Sequence, residues 1–526
     1  MSEIIKISSY LQDQWQYGAG QTALIDPVTN ETIAQIGGEG LDFASAVAHA
    51  RTAGRQSLAE MNFAERAALL RKMADILQAR RDEFVDLARR NSGNTPGDIA
   101  FDIDGGIATL KYYSGLGKGL GEARRFAEPD IQLLDKEGHF TARHVLSPVP
   151  GVAVHINAFN FPSWGLWEKV APAILAGVPC ISKPASATAA VSFAMVRALT
   201  DAGVIPPGVL TLICASARDL LDCLGAGDVI AFTGSADTAN LLRAHPAVAV
   251  GGVRFNTEAD SLNAAVLGLD VAPGSDTYGL FLREVVREMT VKAGQKCTAI
   301  RRILVPEAML DSVAEDLSAQ LSRVSVGDPA VEGVRMGPLV NVGQRRAAAE
   351  GLALLRAECD LVCGGDTPAA LVGNSTRPDC FLAPTLLWCR DPESAVHVHE
   401  KEVFGPVATL MPYRDNAQAG RLVGRGKGSL VSSVFTDEAS HASALLDAAA
   451  PWHGRLLFID AALGKQQPGH GVVMPQCTHG GPGRAGGGQE LGGLRGLELY
   501  LQRTAVQGHA DRVQQLTRDA AVWPGA

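Results

Sequence analysis

The chain has 526 residues, of which 46% are hydrophobic and 20% are charged, and its formal net charge is -9. A chain of this length folds into roughly two or three domains with substantial cores, and its acidic balance disfavours nucleic acid as the main partner. The first residues lack the pattern of a signal peptide, and no run of about 18 apolar residues predicts a membrane span, so we expect a cytoplasmic protein.

The first strongly periodic segment covers residues 62–91 and predicts one amphipathic helix. Asn62 precedes Glu65 by three positions, as in a capping box, and apolar residues then recur on one face. Gly93 and Pro96 are expected to end this helix.

From residue 151 onward, short apolar runs alternate with helical segments. Four runs predict strands (GVAVHINAF, PCISKPA, GVLTLICA and DVIAFTG), and WGLWEKVAPAILAG and AAVSFAMVRALTDAG predict helices between them. Such alternation is typical of a parallel sheet with crossover helices. A second α/β block is predicted over residues 262–461. A two-stranded excursion with a turn at Glu137-Gly138 precedes the first block, and a short helix and a strand follow residue 491.

Two further segments raise the question of a ligand site. GGPGRAGG contains Gly481, Gly483 and Gly486 at GxGxxG spacing, but no strand is expected to lead into it. We therefore interpret it as a flexible loop beside an active site or between domains, and not as a phosphate loop. HVHE, residues 397–400, is interpreted as a surface strand and not as a metal cluster. Because the nine cysteines are scattered and unpaired in pattern, we predict neither a disulfide framework nor a metal site.

Six segments occur in an order that is typical of one family. They read NAFNFPSWGLWEKVAPAILAG, SKPAS, FTGSADTA, FNTEADSLN, AGQKCTAIRR and EKEVFGPV. Together they resemble the aldehyde dehydrogenase superfamily over about residues 20–507. The resemblance implies an α/β chain of the aldehyde dehydrogenase fold, with a Rossmann-like cofactor domain, an α/β catalytic domain and a small β oligomerisation element.

The implied domains are expected to divide the chain as follows. The dinucleotide-binding domain comprises residues 1–130 and 151–261 with part of 475–503, the catalytic domain 262–474, and the oligomerisation element 131–150 and 504–526. Because unpaired strand edges invite pairing with a second subunit, we predict a homodimer.

The resemblance also implies the residues that perform the chemistry. Oxidation of an aldehyde by hydride transfer requires a tetrahedral carbon, which a thiolate forms by adding to the carbonyl group. The implied nucleophile is Cys297, and Asn160 is implied as a donor to the oxyanion. Glu258 is implied as the base that activates water against the thioester, so that a free acid is released. The local alternatives are that Asn160 caps the helix beginning near Ser163, and that Glu258 is a surface residue.

The cofactor prediction depends on a departure from the family pattern. In the common Lys-Pro-x-Glu form the glutamate binds the adenosine ribose, whereas here Lys183 is followed three positions later by Ser186. A serine hydroxyl and a lysine ammonium suit a 2′-phosphate that a carboxylate would repel, so we predict NADP over NAD. The alternative is that Ser186 is only a helix cap.

Further cofactor contacts are implied at two other segments. Thr233, Gly234 and Ser235 match the point at which a helix N-terminus faces the pyrophosphate. Glu402 and Phe404 match the positions that hold the nicotinamide ribose and ring.

The expected substrate follows from the segment Glu258-Ala-Asp-Ser-Leu-Asn263, which replaces the common Glu-Leu-Gly-Gly. This form resembles a branch of the family that acts on CoA-linked semialdehydes from aromatic ring cleavage. The implied substrate is a six-carbon CoA thioester, 3,4-dehydroadipyl-CoA semialdehyde, in benzoate breakdown. The alternatives are a phenylacetate-pathway or general semialdehyde dehydrogenase, a CoA-acylating aldehyde dehydrogenase, and a non-catalytic scaffold.

Overall fold

A computed structural model gives the fold, and it describes residues 4–366, 368, 370–373 and 376–524. Its helices are α1 (Phe43–His49), α2 (Arg55–Ala59), α3 (Phe63–Ala79), α4 (Arg81–Ser92), α5 (Pro96–Leu120), α6 (Trp164–Ala176), α7 (Ala189–Asp201), α8 (Ala236–Arg243), α9 (Pro246–Ala249), α10 (Asp276–Thr290), α11 (Leu310–Leu321), α12 (Val342–Leu355), α13 (His397–Glu400), α14 (Asn416–Gly424), α15 (Ala439–Ala449) and α16 (Ala510–Thr517).

The strands fall into four larger groups and one short ribbon. They are β1 (Ile5–Ile7), β2 (Ser9–Leu11), β3 (Gln14–Gln16), β4 (Thr22–Ile25), β5 (Thr32–Ile36), β6 (Phe126–Ala127), β7 (Gln132–Leu133), β8 (Phe140–Pro148), β9 (Ala153–Ile156), β10 (Cys180–Lys183), β11 (Leu210–Leu212), β12 (Val229–Thr233), β13 (Arg254–Glu258), β14 (Ala264–Leu267), β15 (Arg302–Pro306), β16 (Asp360–Cys363), β17 (Thr385–Trp388), β18 (Val407–Tyr413), β19 (Ser429–Phe435), β20 (His453–Ile459), β21 (Thr478–Gly480), β22 (Gln489–Leu491), β23 (Leu501–His509) and β24 (Ala521–Val522).

The first large sheet has the order β13-β12-β9-β10-β11-β2-β3. The strands β13 to β11 are parallel, and α6 and α7 cross over between successive strands as the alternating pattern predicts. The N-terminal strands β2 and β3, which the sequence did not predict, extend the sheet in the antiparallel direction. Because both faces are covered, β12 consists almost entirely of buried apolar residues, and β9 is buried except at its last residue.

The second large sheet has the order β16-β17-β18-β15-β14-β19-β20 and is parallel except for β16. It occupies the part of the chain for which a second α/β block is predicted. Its central strand β19 is buried along its whole length. The two sheets together confirm the predicted α/β fold class.

A third sheet, β23-β8-β6-β24, stands apart from the two large ones. The strands β8 and β23 pair antiparallel over nine residues, and β7 pairs with β8 across a turn at Gly138, whose φ is +74°. The segments assigned to the oligomerisation element therefore meet in one sheet. Their role in subunit association and the domain division stay predictions, and residues 1–3 and 525–526 lie outside the described residues.

The predicted helix over residues 62–91 is wrong in one respect, because the chain forms two helices. Asn62 and Glu65 form the predicted capping box of α3, and Gly93, with φ +67°, ends α4. Arg80, however, leaves the helical region between them, with φ -108° and ψ 16°. Pro96 begins α5 and does not terminate the preceding helix.

The predicted surface strand at residues 397–400 is also wrong, because this segment forms the single helical turn α13. His399 is buried, with Nδ1 at 3.3 Å from an Arg302 guanidinium nitrogen and Nε2 at 2.9 Å from the Pro392 carbonyl oxygen. Burial of this histidine against a buried guanidinium overrides the alternating pattern that indicated a strand.

The glycine-rich loop, residues 480–488, packs its backbone on β13. Gly488 donates to the Thr257 carbonyl and Ala259 donates to the Ala485 carbonyl, at 3.0 Å each. A Cβ added at Gly486 or Gly488 would overlap the Thr257 carbonyl oxygen, so the glycines permit close approach to a strand. The short strand β21 does lead into the loop, contrary to the sequence prediction, but β21 belongs to a two-stranded ribbon with β22.

Among the described residues, we find no helix that is both long and apolar enough to cross a membrane.

Substitution Gly454→Ala is expected to lower the free energy of unfolding by about 3 kcal/mol. The added Cβ would overlap the Gly480 carbonyl oxygen, which forces β21 away from β20. The measurement is the midpoint of guanidinium unfolding, followed by tryptophan fluorescence.

A matched control for this substitution is Gly115→Ala in α5, where no atom lies within 4 Å of an added Cβ. The control is expected to raise the free energy of unfolding by about 0.5–1 kcal/mol, because alanine is the better helix former. Equal midpoints for Gly454→Ala and the wild type would contradict the described packing of β20 on β21.

Candidate active site

One pocket between the two large sheets brings together the three residues for which catalytic roles are predicted. Asn160, Glu258 and Cys297 all line it, and Thr233 lies on the same wall. The remaining wall is largely aromatic, with Phe101, Phe161 and Trp164. The structure thus places the three residues at one site. The catalytic roles that the family resemblance implies for them require this proximity.

Cys297 follows a strained turn that two contacts hold in place. Lys292, Ala293 and Gly294 have φ values of +53°, +52° and +69°, a region that residues with a side chain rarely adopt. The Lys292 N–H donates to an Asp98 carboxylate oxygen at 3.0 Å. The Arg301 guanidinium donates to the Gly294 carbonyl at 2.8 Å. These contacts fix the backbone that presents the thiol to the pocket.

The unusual segment after Glu258 supplies a further support for this turn. The Asn263 side-chain amide donates to the carbonyl of Cys297 at 2.8 Å and to that of Ala299 at 2.9 Å. Ser261 in turn donates to the Asn263 side-chain oxygen at 2.6 Å. The Ser-Leu-Asn part of the segment therefore positions the nucleophile loop from behind.

Glu258, at the end of β13, meets a residue that the sequence did not predict, His479 on β21. The His479 Nε2 atom lies 3.0 Å from a Glu258 carboxylate oxygen and 4.0 Å from the Cys297 sulfur. Both side chains of the ion pair are less than a tenth exposed. The available sequence signal is that this histidine stands immediately before the glycine-rich loop. That loop was expected to flank an active site.

Charge and burial shift the pKa values of all three groups. Burial alone would raise the pKa of Glu258, but the charges of His479 and Lys169 outweigh it and lower that pKa to about 2. Burial, followed by the charge of Glu258, raises the pKa of the Cys297 thiol well above its usual value. Burial opposes protonation of His479, but Glu258 outweighs it and raises the imidazole pKa. The resting combination is therefore a thiol, an imidazolium and a carboxylate.

A second group of buried charges lies behind Glu258 and was also missed. The Lys169 ammonium on α6 is 3.1 Å from a Glu168 oxygen and 2.9 Å from a Glu490 oxygen on β22. Burial raises the pKa of Glu490 to about 7, although Lys169 acts in the opposite direction. Burial would lower the pKa of Lys169, but Glu490 and Glu168 together raise it. Two carboxylates share one cation here, so the group holds an additional proton near neutral pH.

The helix-cap interpretation of Asn160 is not supported, because another residue performs that function. The first backbone N–H groups of α6, at Ser163 and Trp164, donate to the two carboxylate oxygens of Asp102 at 3.4 and 2.8 Å. Asn160 is buried and lines the pocket. The alternative of a surface position for Glu258 is wrong, since Glu258 is only 3% exposed.

The residues predicted to contact the pyrophosphate lie at the end of β12 and the start of α8. Ser235 caps α8 by accepting from the Thr238 N–H at 3.3 Å. The Thr233 hydroxyl is buried and has no hydrogen-bond partner among the described residues, which suits a position against a ligand. The Gly234 N–H donates to the Glu258 carbonyl, and the Ala236 N–H donates to Asp260 at 2.9 Å. The helix N-terminus thus offers fewer free donors than the sequence predicts.

Glu402 and Phe404 both lie beside the Arg301 guanidinium. A Glu402 carboxylate oxygen accepts from the Ser261 N–H at 3.3 Å, and the other lies 3.6 Å from the Arg301 guanidinium. Burial raises the pKa of Glu402 to about 8 despite Arg301. Phe404 packs edge-to-face on Phe159, with ring centroids 5.7 Å apart. These contacts hold both side chains against their neighbours, and the implied contacts with the ribose and the nicotinamide ring stay predictions.

Ser186 and Lys183 lie away from the thiol, at the carboxyl end of β10. Ser186 opens a short 3₁₀ turn in which Ala185, and not Ser186, is the cap residue. It lines a surface cleft that also contains Glu39 and Asp219. The Lys183 ammonium donates to the Pro184 carbonyl at 3.2 Å, and it has no carboxylate partner among the residues that the structure describes. Burial lowers the pKa of Lys183.

Glu258, Cys297 and His479, which we call the triad, also bear on the prediction that the protein binds no metal. The ligand atoms of Glu258, Cys297 and His479 all lie within 4.8 Å of one another, which is a spacing that a zinc ion could bridge. A metal there would occupy the sulfur that is expected to attack the aldehyde. We keep the prediction of no resident metal, which stays a prediction.

Comparisons with known proteins agree with this arrangement. A model of the aldehyde dehydrogenase family matches residues 15–506. The chain is 50% identical over 479 residues to 3,4-dehydroadipyl-CoA semialdehyde dehydrogenase of Aromatoleum evansii, a match that covers 91% of this chain and 93% of that protein. It is 44% identical over 192 residues to protein MaoC of Klebsiella aerogenes, covering 36% of this chain and 56% of MaoC.

The solved structures show the same fold at low sequence identity. A point mutant of Staphylococcus aureus betaine aldehyde dehydrogenase, in complex with NAD⁺, superposes with a TM-score of 0.83 at 21% identity. The match covers 96% of this chain and 98% of that one.

Proposed function

Since the chain belongs to the aldehyde dehydrogenase family, we propose that it oxidises a CoA-thioester semialdehyde to the carboxylic acid with NADP. The substrate that this proposal favours is 3,4-dehydroadipyl-CoA semialdehyde, in benzoate breakdown. Family membership and the resemblance to the CoA-linked branch were both predicted from the sequence, and both are confirmed. The observation that carries the proposal is the convergence of Cys297, Glu258 and Asn160 in one buried pocket.

The three residues act in sequence on the aldehyde. The Cys297 sulfur adds to the carbonyl carbon, and the Asn160 amide donates to the oxygen that becomes an oxyanion. The nicotinamide cofactor, when bound, would supply the hydride acceptor that converts the adduct on Cys297 into an acyl thioester. Glu258 then takes a proton from water, the hydroxide adds to the thioester, and the acid leaves as the thiol is restored.

Hydrolysis is favoured over transfer of the acyl group to a second CoA by the surroundings of Glu258. Its carboxylate lies in the same pocket as the thiol and is kept ionised by His479 and Lys169. An ionised carboxylate beside the thioester activates water, whereas an acylating enzyme requires no base at this point. A CoA-acylating dehydrogenase therefore remains the weaker alternative.

The preference for NADP rests on Lys183 and Ser186. No described carboxylate neutralises the Lys183 ammonium, and the Ser186 hydroxyl is not used as a cap. Both groups can bind a 2′-phosphate. Glu39 and Asp219 in the neighbouring cleft act against this preference, so NAD is the alternative cofactor.

A homodimer in the cytoplasm completes the proposal. The edge strand β23 of the third sheet is largely exposed over residues 502–509. An exposed edge of this length can pair with the same strand of a second copy.

The first test compares initial rates for NADP and NAD, each with a CoA-linked six-carbon semialdehyde and with hexanal. We expect kcat/KM to be highest for NADP with the CoA-linked aldehyde, by about tenfold or more, because remote contacts contribute to transition-state binding. Equal rates with hexanal would contradict the substrate assignment. Oxidation of neither aldehyde with either cofactor would contradict the proposed function itself.

The variant Glu258→Gln is expected to form the thioester and then stall. We expect a rapid burst of NADPH, at most one per active site, followed by turnover slowed by about 100-fold or more, because water lacks its base. The measurement is stopped-flow absorbance of NADPH. Cys297→Ala is the control and should show neither burst nor turnover. A steady state unchanged from the wild type would contradict the role of Glu258.

The variant Ser186→Glu is expected to weaken the binding of NADP more than the binding of NAD. We expect KM for NADP to rise roughly tenfold, equivalent to about 1.4 kcal/mol, because the new carboxylate repels the 2′-phosphate. Ser186→Ala is the matched control, since it removes the hydroxyl without adding charge. The measurement is the KM of each variant for both cofactors, and an equal rise for NAD and NADP would contradict the contact.

A further inference from the structure

His479 stands between the two acidic groups on which the proposed reaction depends. One nitrogen, Nε2, faces both the Glu258 carboxylate at 3.0 Å and the Cys297 sulfur at 4.0 Å. The sulfur and a carboxylate oxygen of Glu258 also lie within 4.8 Å of each other. A single N–H at Nε2 can therefore be donated to either group with only a small movement of the ring.

The pocket would otherwise oppose formation of the nucleophile. A thiolate beside a buried carboxylate places two negative charges within a few ångströms in a low-dielectric environment. The other cation near Glu258, Lys169, is already shared by Glu168 and Glu490. Of the described basic residues, His479 is the one that reaches the sulfur.

We propose that His479 is a catalytic residue whose Nε2–H donates a hydrogen bond to the Glu258 carboxylate at rest and to the Cys297 thiolate once the thiolate has formed. This inference rests on the proposed function. It adds a residue to the reaction of Cys297 with the aldehyde.

The proton transfers balance in each step. At rest, the imidazolium N–H is donated to the Glu258 carboxylate and Cys297 is a thiol. The thiol proton leaves to solvent water, and the Nε2–H is then donated as a hydrogen bond to the resulting thiolate. The sulfur lone pair forms the bond to the aldehyde carbon, and the carbonyl π electrons move to the oxygen. The imidazolium itself loses no proton, and Glu258 stays ionised until it takes a proton from water in the hydrolysis of the thioester.

The position of His479 is fixed by its strand and by the groups around it. It lies on β21, paired opposite Glu490 of β22. The titratable and charged groups around it are Glu258 from β13, Cys297 from the nucleophile loop, Glu168 from α6 and Glu490 from β22, and Lys169 of α6 acts on Glu258. Carboxylates outnumber the other cations in this set, so the environment favours the imidazolium.

The test measures alkylation of Cys297 by iodoacetamide as a function of pH, without aldehyde or cofactor. Removing the imidazolium in His479→Phe should raise the pH of half-maximal alkylation by more than about one unit and lower the rate at pH 7 about tenfold or more. His479→Gln, which keeps an N–H donor but no charge, should shift the pH midpoint in the same direction by a smaller amount. A chelator is included, because the triad could capture zinc.

His453→Asn is the matched control, since His453 is also a partly buried histidine on a neighbouring strand but contacts Ser432 and Ala449 instead of the triad. Its pH midpoint should equal that of the wild type. The midpoint of thermal unfolding checks that each variant is folded. If His479→Phe is not folded, His479→Gln alone serves as the test variant. If a folded His479 variant shows the same pH of half-maximal alkylation as the wild type, the proposal is overturned, even where turnover falls.

Failure of this inference is distinguishable from failure of the proposed function. Alkylation needs neither substrate nor cofactor, so its pH profile reports on His479 even if the wild type oxidises no CoA-linked aldehyde. Conversely, normal oxidation by the wild type with an unshifted profile in His479→Phe would leave the function standing and remove the role of His479.

Discussion

The active site depends on one backbone contact, the packing of the glycine-rich loop on strand β13. Gly488 and Ala485 bond to the chain on either side of Glu258, and side chains at Gly486 and Gly488 would prevent this approach. The contact places β21 and β22, which flank the loop, on opposite sides of the same carboxylate. His479 thereby reaches the thiol side of Glu258, and Glu490 reaches the Lys169 side. Without the packing of the loop on β13, Glu258 would stay buried but would lose His479, one of the two cations that keep it ionised.

Burial makes the balance of charges the second constraint. Isolated buried charges are costly, and they persist only where a partner or a shifted pKa compensates. Here the compensation forms a chain, in which His479 balances Glu258 and Lys169 balances Glu168 and Glu490. Because the cations and carboxylates come from four separate segments, the loss of any one partner affects the protonation of the others. The reactivity of Cys297 is therefore a property of the whole pocket.

Much of the fold was predictable, because local patterns and burial agree there. The strand β12 is buried along most of its length, and such a strand forms an apolar run that can be recognised without tertiary information. The catalytic trio was predictable only through resemblance, since nothing near Cys297 in the sequence marks it as a nucleophile. His479 and Glu490 act on residues far from them along the chain, so no local pattern indicated their role. The predicted strand at residues 397–400 was wrong for a related reason, because the burial of His399 against Arg302 depends on a strand that is distant in the sequence.

The segment that departs from the common family pattern shows how the same chemistry can be supported differently. After Glu258, the Asp260 carboxylate accepts a hydrogen bond from the Ala236 N–H at the start of α8, and the Asn263 side-chain amide donates one to the Cys297 carbonyl. A carboxylate at the helix N-terminus removes a donor that a cofactor phosphate could use, while the asparagine stabilises a turn with three positive φ values. These substitutions leave the thiol, base and oxyanion donor in place and change what lies behind them. In this chain the departure therefore changes the support of the loop that carries Cys297 and the donors at the start of α8, while Cys297, Glu258 and Asn160 still line one pocket.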